Sequence, residues 1–215
     1  LRESLEGLAE DWARELDETK DRARRARLAH ELGRLHEGPL AGDGALDRAR
    51  DFYGRALDAQ SDHLPSLRGA RRVALAQKRW RDARPYFDQE ARLTADSKKK
   101  ASLLYAKGRV LEDALGDEEK AKQAYRTAAE LDRADVAFVE ALEQRDRAEA
   151  SWSALERTLE RKANAVAKDA RHRAALIVER ARVLEHREKR VDAAIELYET
   201  ALRLDPHASG ANAAL

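Results

Sequence analysis

Three arginines recur in one register: Arg34, Arg109 and Arg182 each directly follow a small residue, Gly33, Gly108 and Ala181. Glu37, Glu112 and Glu185 stand three positions after each arginine, and His30, Tyr105 and Val178 lie one helical turn before it. A guanidinium offers a planar fork of donors that grips a carboxylate bidentately, so a row of such side chains suits an acidic segment or a chain-terminal carboxylate. The same spacing also suits a solvent-screened pair on one helix, worth roughly a few tenths of a kcal/mol. From the residues alone the arginines stand either as a ligand surface or as an inherited surface pair.

Catalytic chemistry finds no comparable pattern. The six histidines are His30, His36, His63, His172, His186 and His207, and none belongs to the His-Glu-x-x-His spacing that sets two zinc ligands one helical turn apart. His30 and His36 sit six apart, on different faces of a helix. Acidic runs such as Asp117-Glu118-Glu119 suit a helix start, where carboxylates complement the dipole. The sequence has no Gly-rich phosphate loop, no Gly-x-Ser-x-Gly elbow and no calcium-loop spacing. No catalytic residue, metal ligand or cofactor is therefore expected, and the chain is expected not to be an enzyme. With no cysteine, disulfides and thiolate metal sites are excluded.

Charged residues make up 39% of the 215, against about 25% in an ordinary domain, while aromatics are 5%. So few large apolar side chains suit a thin body of stacked small units better than a sphere with one deep core. Forty-two Lys and Arg oppose forty-one Asp and Glu, with both signs interspersed, which argues against a dedicated nucleic-acid binder. The short basic clusters at 22–27 and 98–100 lie beside acidic neighbours and read as solvated surface. No apolar run approaches the ~18 residues of a membrane span. The sequence starts at Leu1 without a signal-peptide pattern, and the chain is expected to be a fragment or a processed product. Its compartment is not fixed by these features; the cytoplasm is slightly favoured.

These side chains are positioned by an internal repeat. RVLEDALGDEEKAKQAYRTAAELD, from Arg109, aligns without a gap on RVLEHREKRVDAAIELYETALRLD, from Arg182. A third copy lies upstream, with Tyr53 matching Tyr125, and its extra residues fall in the turn-rich stretch 38–44. Between these copies sit units marked by Trp12, Trp80 and Trp152, at nearly even intervals. The larger period is thus two alternating units of roughly 36 residues, each the length of one helical hairpin, giving about eleven or twelve helices. In the central copy Ala101, Leu104, Gly108 and Leu111 share one helix face; Gly116-Asp117 then breaks the chain with Asp117 as N-cap. Ala121, Tyr125, Ala128 and Leu131 share a face of the second helix, the small residues letting helices approach while tyrosine fills the space between.

Those residues carry a resemblance. A small residue late in a first helix, then Ala, aromatic and Ala in the second, then Leu-Asp-Pro, resembles the tetratricopeptide repeat, in the manner of bacterial tandem arrays. It reads as Gly33, Ala49, Tyr53, Ala56 and Leu57, as Gly108, Ala121, Tyr125, Ala128 and Leu131-Asp132, and as Ala181, Ala194, Tyr198, Ala201 and Leu204-Asp205-Pro206. The Trp-marked units fit less closely: Trp80, Ala83 and Phe87 match, but Glu90 replaces the final small residue, and the helix before Trp152 decays into a charged run. The resemblance implies an all-α, right-handed superhelical solenoid of antiparallel helix-turn-helix repeats. Expected repeats are 24–63, 64–99, 100–134, 135–169 and 170–205, after a partial repeat over 1–23 that holds a second helix with Leu8, Trp12 and Leu16. Residues 206–215 are expected to start a further first helix, the array being an excerpt from a longer one.

In tetratricopeptide arrays the first helices line the concave surface. The resemblance thus implies a ladder of Arg34, Arg109 and Arg182 along that groove, with His30 and Tyr105 beside it and Arg68 and Arg72 added from the intervening unit. The function implied is a scaffold that holds a peptide or helix of a partner protein. The alternative is a sensing, spacer or self-assembly module of a larger signalling or enzymatic protein, for which end-to-end stacking of the chain is one route. The tryptophans are expected in inter-helix packing.

Overall fold

The computed structural model describes residues 2–214, which are helical without a strand. Among them are eleven α-helices: α1 Arg2–Glu18, α2 Arg22–Glu37, α3 Ala45–Ala59, α4 Leu64–Ala76, α5 Trp80–Leu93, α6 Ser97–Asp113, α7 Glu118–Leu131, α8 Val136–Ala148, α9 Trp152–Ala165, α10 Ala170–Val183 and α11 Val191–Leu204. A π-helical turn, Leu184–Glu188, extends α10. The fold is a tandem series of helix hairpins of the solenoid class. It divides into two compact units, Leu1–Asp96 with Asp113–Leu115, and Ser97–Glu112 with Gly116–Leu215.

In the first unit α2 pairs with α3 and α4 with α5, while α1 packs on α2 and α3 on α4. The approach of α2, α3 and α4 is set by one ring. Tyr53 is fully buried, and a Cβ on Gly33 would come within 2.7 Å of it. A Cβ on Gly69 of α4 would collide with the same ring, so glycines on two helices together leave room for one tyrosine. Ala49, Ala70 and Val73 close the rest of this cluster, with Leu46, Leu57 and Tyr86 at its margin. On α1 the packed face is Leu5, Ala9, Trp12, Ala13 and Leu16, set against α2 and α3. Leu8, expected on that face, is instead exposed: it falls one step off the Leu5–Ala9–Trp12–Leu16 stripe.

The second unit repeats the device. Tyr125 is buried, and a Cβ at Gly108 would collide with its ring. Successive helices α7 to α11 pack each on the next, and Leu155, Leu159, Ile177, Val178 and Tyr198 lead the core that α9, α10 and α11 share. The charged run before Trp152 stays helical because its polar groups turn inward onto partners. Asp146, 2% exposed, lies 3.0 Å from Lys122 Nζ and accepts a 2.7 Å bond from Thr158 Oγ1. Glu143 accepts from Lys162 and Arg147. A buried charge is tolerated when it is paired and hydrogen-bonded in this way.

Each hairpin turn within α2–α11 passes through a left-handed residue: Gly44 (φ 69°), Lys78 (57°), Gly116 (64°), Ala150 (53°) and Lys189 (60°). Asp117 caps α7 by accepting from the Lys120 amide at 3.2 Å, and Asp21, Asp135 and Asp169 cap α2, α8 and α10 likewise. Residues 206–214 differ from expectation. They form linked turns, with the Ala208 amide donating to the Asp205 carbonyl and the Ala211 amide to that of Ala208. Gly210, at φ 86°, takes the backbone out of helical geometry there.

Candidate functional site

Each first helix of the tyrosine-marked hairpins carries its glutamate one turn beyond the small packing residue. A helical Cβ leans toward the N-terminus, so the carboxylate reaches back over the seat of the tyrosine. Glu37 accepts the Tyr53 hydroxyl at 2.6 Å, and Nε and Nη2 of Arg72 on α4, both at 2.8 Å. Glu112 accepts the Tyr125 hydroxyl at 2.5 Å and pairs with Arg145 Nε of α8 at 3.1 Å. Glu185 accepts the Tyr198 hydroxyl at 2.8 Å. Burial works against the Glu37 carboxylate, but the Arg72 and Tyr53 bonds hold its pKa below the ordinary range. The Tyr53 phenol is raised by burial and by Glu37, and that of Tyr198 is pushed up to about 12 by burial and Glu185. These glutamates are thus structural clasps, and the expected Arg34–Glu37 pair does not form: Arg34 reaches back to Glu31 at 3.2 Å.

Arg72 is held by Glu37, while Arg68 and Arg71 both grip Glu90, at 2.9 and 2.8 Å. Glu90 stands where a small residue was expected and is 5% exposed; two guanidiniums make that burial tolerable. Arg34 and Arg109 are exposed on α2 and α6. Arg182 is exposed on α10, with its guanidinium lying against Gly210, where a Cβ would collide with it.

His30 is half-buried, its ring 5.6 Å from Tyr53 and 5.3 Å from His63. The Nδ1 atoms of His30 and His63 lie 3.2 and 2.7 Å from the hydroxyl of buried Ser66. Burial lowers the pKa of both imidazoles. Tyr105 is half-buried between Tyr125 and Phe138, at ring distances of 5.4 and 5.1 Å. Trp12, Trp80 and Trp152 are half-buried, and the Arg187 guanidinium sits 4.5 Å from the Trp152 ring. Sequence reading misses Ser66, Arg145 and the Lys122–Asp146–Thr158 group. Their local spacing singles none of them out: in the register that matches Trp80 to Trp152, Arg145 falls opposite Val73 and not Arg72.

Residues 101–135 and 176–207, the two hairpins that carry Gly108–Tyr125 and Ala181–Tyr198, match the tetratricopeptide repeat family. Those two hairpins are tetratricopeptide repeats. Solved structures, two of the three that follow being tetratricopeptide proteins, align over most of this chain. YrrB, a TPR protein with an unusual peptide-binding site, covers 96% of this chain and 98% of its own at 21% identity, with a TM-score of 0.50. A tetratricopeptide repeat protein from Parabacteroides merdae covers 96% and 89% at 13% identity, with a TM-score of 0.51. The MamA RS-1 ArsTM double mutant covers 78% and 87% at 17% identity, with a TM-score of 0.53. At these identities the likeness is one of fold. No match occurs among curated proteins. The tetratricopeptide fold is a protein–protein interaction scaffold, generally without enzymatic activity. Among the described residues no three His, Cys, Asp or Glu side chains converge to hold a metal, and no helix is long and apolar enough to cross a membrane.

Proposed function

We propose that this tetratricopeptide array binds a peptide or helix of another protein through exposed faces of its first helices, with Arg34 in the first unit and Arg109 and Arg182 in the second each meeting acidic groups of a ligand. The observation that carries the reading is a division of labour. The glutamates at the shared register are taken up by tyrosines, and two of them also by arginines of the next hairpin's first helix, while the arginines at the shared register are exposed, Arg34 also meeting Glu31. A positive charge beside half-buried His30 in the first unit, and beside half-buried Tyr105 in the second, suits an acidic segment with an apolar or aromatic residue. Arg68 and Arg72 border the first of these while holding Glu90 and Glu37.

The test is affinity capture from lysate with the native chain and with a variant carrying Arg34→Glu, Arg109→Glu and Arg182→Glu, both shown to be folded by circular dichroism. A partner retained by the native chain and lost by the variant supports the reading. A partner held equally by both places binding elsewhere, and the arginine register is then repeat ancestry. A second reading, self-assembly, draws on Val191 and Ile195 of α11, which are 52% and 38% exposed. It predicts a concentration-dependent dimer in sedimentation that Ile195→Lys abolishes; a monomer at all concentrations removes it.

A further inference from the structure

The helices α3–α5 and α7–α9 correspond position by position, Tyr53 to Tyr125 and Trp80 to Trp152, which exposes one local change. Leu57, Leu67 and Leu93 in the first set become Ala129, Val139 and Ala165 in the second. All three are smaller, and all three line one cleft of about 510 Å³ within the second unit, beside the C-terminal ends of α7 and α9. The counterpart of Ala129 in α11 is again a leucine, Leu202. Its floor includes Ala129 and Val139, 2% and 1% exposed, and is apolar.

The rim changes too. Arg133 and Arg161 replace Ser61 and Gln89, and Asn164 stands for Arg92. Arg133 is exposed and, among the described residues, its side chain has no hydrogen bond or ion pair. Arg161 reaches only Glu130, at 3.9 Å, and the Asn164 side-chain amide has no partner among the described residues. Two guanidiniums and an amide thus face one carboxylate above an apolar floor.

We infer that this cleft is a second docking point, separate from the first-helix face: a socket for one aliphatic side chain of a partner protein, with an adjacent Asp or Glu of that partner held by Arg133 and Arg161. The missing leucine volume fits the side chain, and the rim charge selects the acid. Glu130 at the same rim disfavours a run of phosphates, so a protein segment is the occupant rather than a nucleic acid.

The test pans a random dodecapeptide library on the native chain and measures the enriched peptides by fluorescence anisotropy. The inference expects a family with Leu, Ile or Met beside Asp or Glu. Filling the socket with Ala129→Leu and Ala165→Leu should weaken that family by about tenfold or more, and so should Arg133→Glu. Arg182→Glu should leave its affinity unchanged. Should the filled variant fail to fold, Arg133→Glu, an exposed substitution, decides alone. No enrichment, enriched peptides without an acid beside the apolar residue, or no family weakened by the socket variants overturns the inference. The first-helix reading stands or falls separately on the triple arginine variant.

Discussion

At the residue scale, the left-handed positions separate what the fold requires from what the sequence supplies. Gly116 and Lys189 occupy the same place in their hairpins, and both have φ near 60°. Glycine takes that conformation freely, whereas a side chain there costs about 1–2 kcal/mol, partly offset by glycine's greater freedom when unfolded. Lys189→Gly and Ala150→Gly should each raise stability by about 0.5–1 kcal/mol, read as a higher urea midpoint with an unchanged slope. The opposite sign holds at Gly108, whose missing Cβ is the seat of Tyr125. Gly108→Ala should cost about 1–3 kcal/mol, since the ring has no free space to yield into, and an unchanged midpoint would show the seat to be loose. Gly116 and Gly108 were legible from sequence as breaker and packing residue. The strain at Lys189 and Ala150 was not, because nothing in those residue types signals a left-handed backbone. Only their register within the repeat does.

At the scale of elements, the clasps join helices that are far apart in sequence. Arg72 and Glu37 are 35 residues apart and bridge α4 to α2. Reading one helix at a time assigns Glu37 to Arg34, since spacings of three look alike in either direction along a chain. The tilt of the Cβ vectors breaks that symmetry and turns Arg34 back to Glu31. Beside this clasp, Ser66 of α4 is shared by His30 of α2 and His63. Facing this pair are Glu31, Arg34 and Arg72 around His30, and Asp62 and Arg27 around His63. Burial, the leading cause, lowers both imidazole pKa values below the ordinary 6.5. The native state therefore holds fewer protons than the unfolded chain just below that pH. Stability is full above 6.5 and falls as pH descends toward the native values. Urea unfolding at pH 7.5 and 5.5 should show a lower midpoint at 5.5, and replacing both histidines by Gln should flatten the difference. His36, also lowered, keeps a smaller residual slope. The depressed carboxylates Glu37, Glu143 and Glu149 act only below about 4.5, outside this window. An equal loss in the double variant would assign the slope to other groups.

At the scale of the whole molecule, the repeat explains both how much was legible and where reading stopped. Tyr53, Tyr125 and Tyr198, almost evenly spaced and with small residues at fixed distances, required helix hairpins of one design, and eleven helices among the described residues answer to it. Each hairpin packs mainly on its neighbours, so a pattern read locally was enough for the fold. Function is less local. The arginine register could be seen in the sequence, but whether an arginine is consumed inside the fold depends on carboxylates elsewhere in the array, as with Arg68 and Glu90. The cleft at Ala129 and Ala165 was invisible in either helix alone and emerges only when equivalent positions are compared. The near-balance of charge leaves local patches, rather than net attraction, to choose a partner.

The central claim is that the exposed faces of the first helices, taken in each unit by itself, receive a protein segment. It is tested most directly by placing a photo-crosslinking amino acid at Arg34, Arg109 or Arg182 in turn, and at Asp51 or Glu199 on the second helices α3 and α11, away from the cleft on α7 and α9. Crosslinked peptides are then identified by mass spectrometry after exposure to lysate. The account predicts that the three first-helix positions crosslink to acidic segments of one protein, and that the second-helix positions do not. Crosslinks of equal yield from both sets, or from the second helices alone, would contradict it.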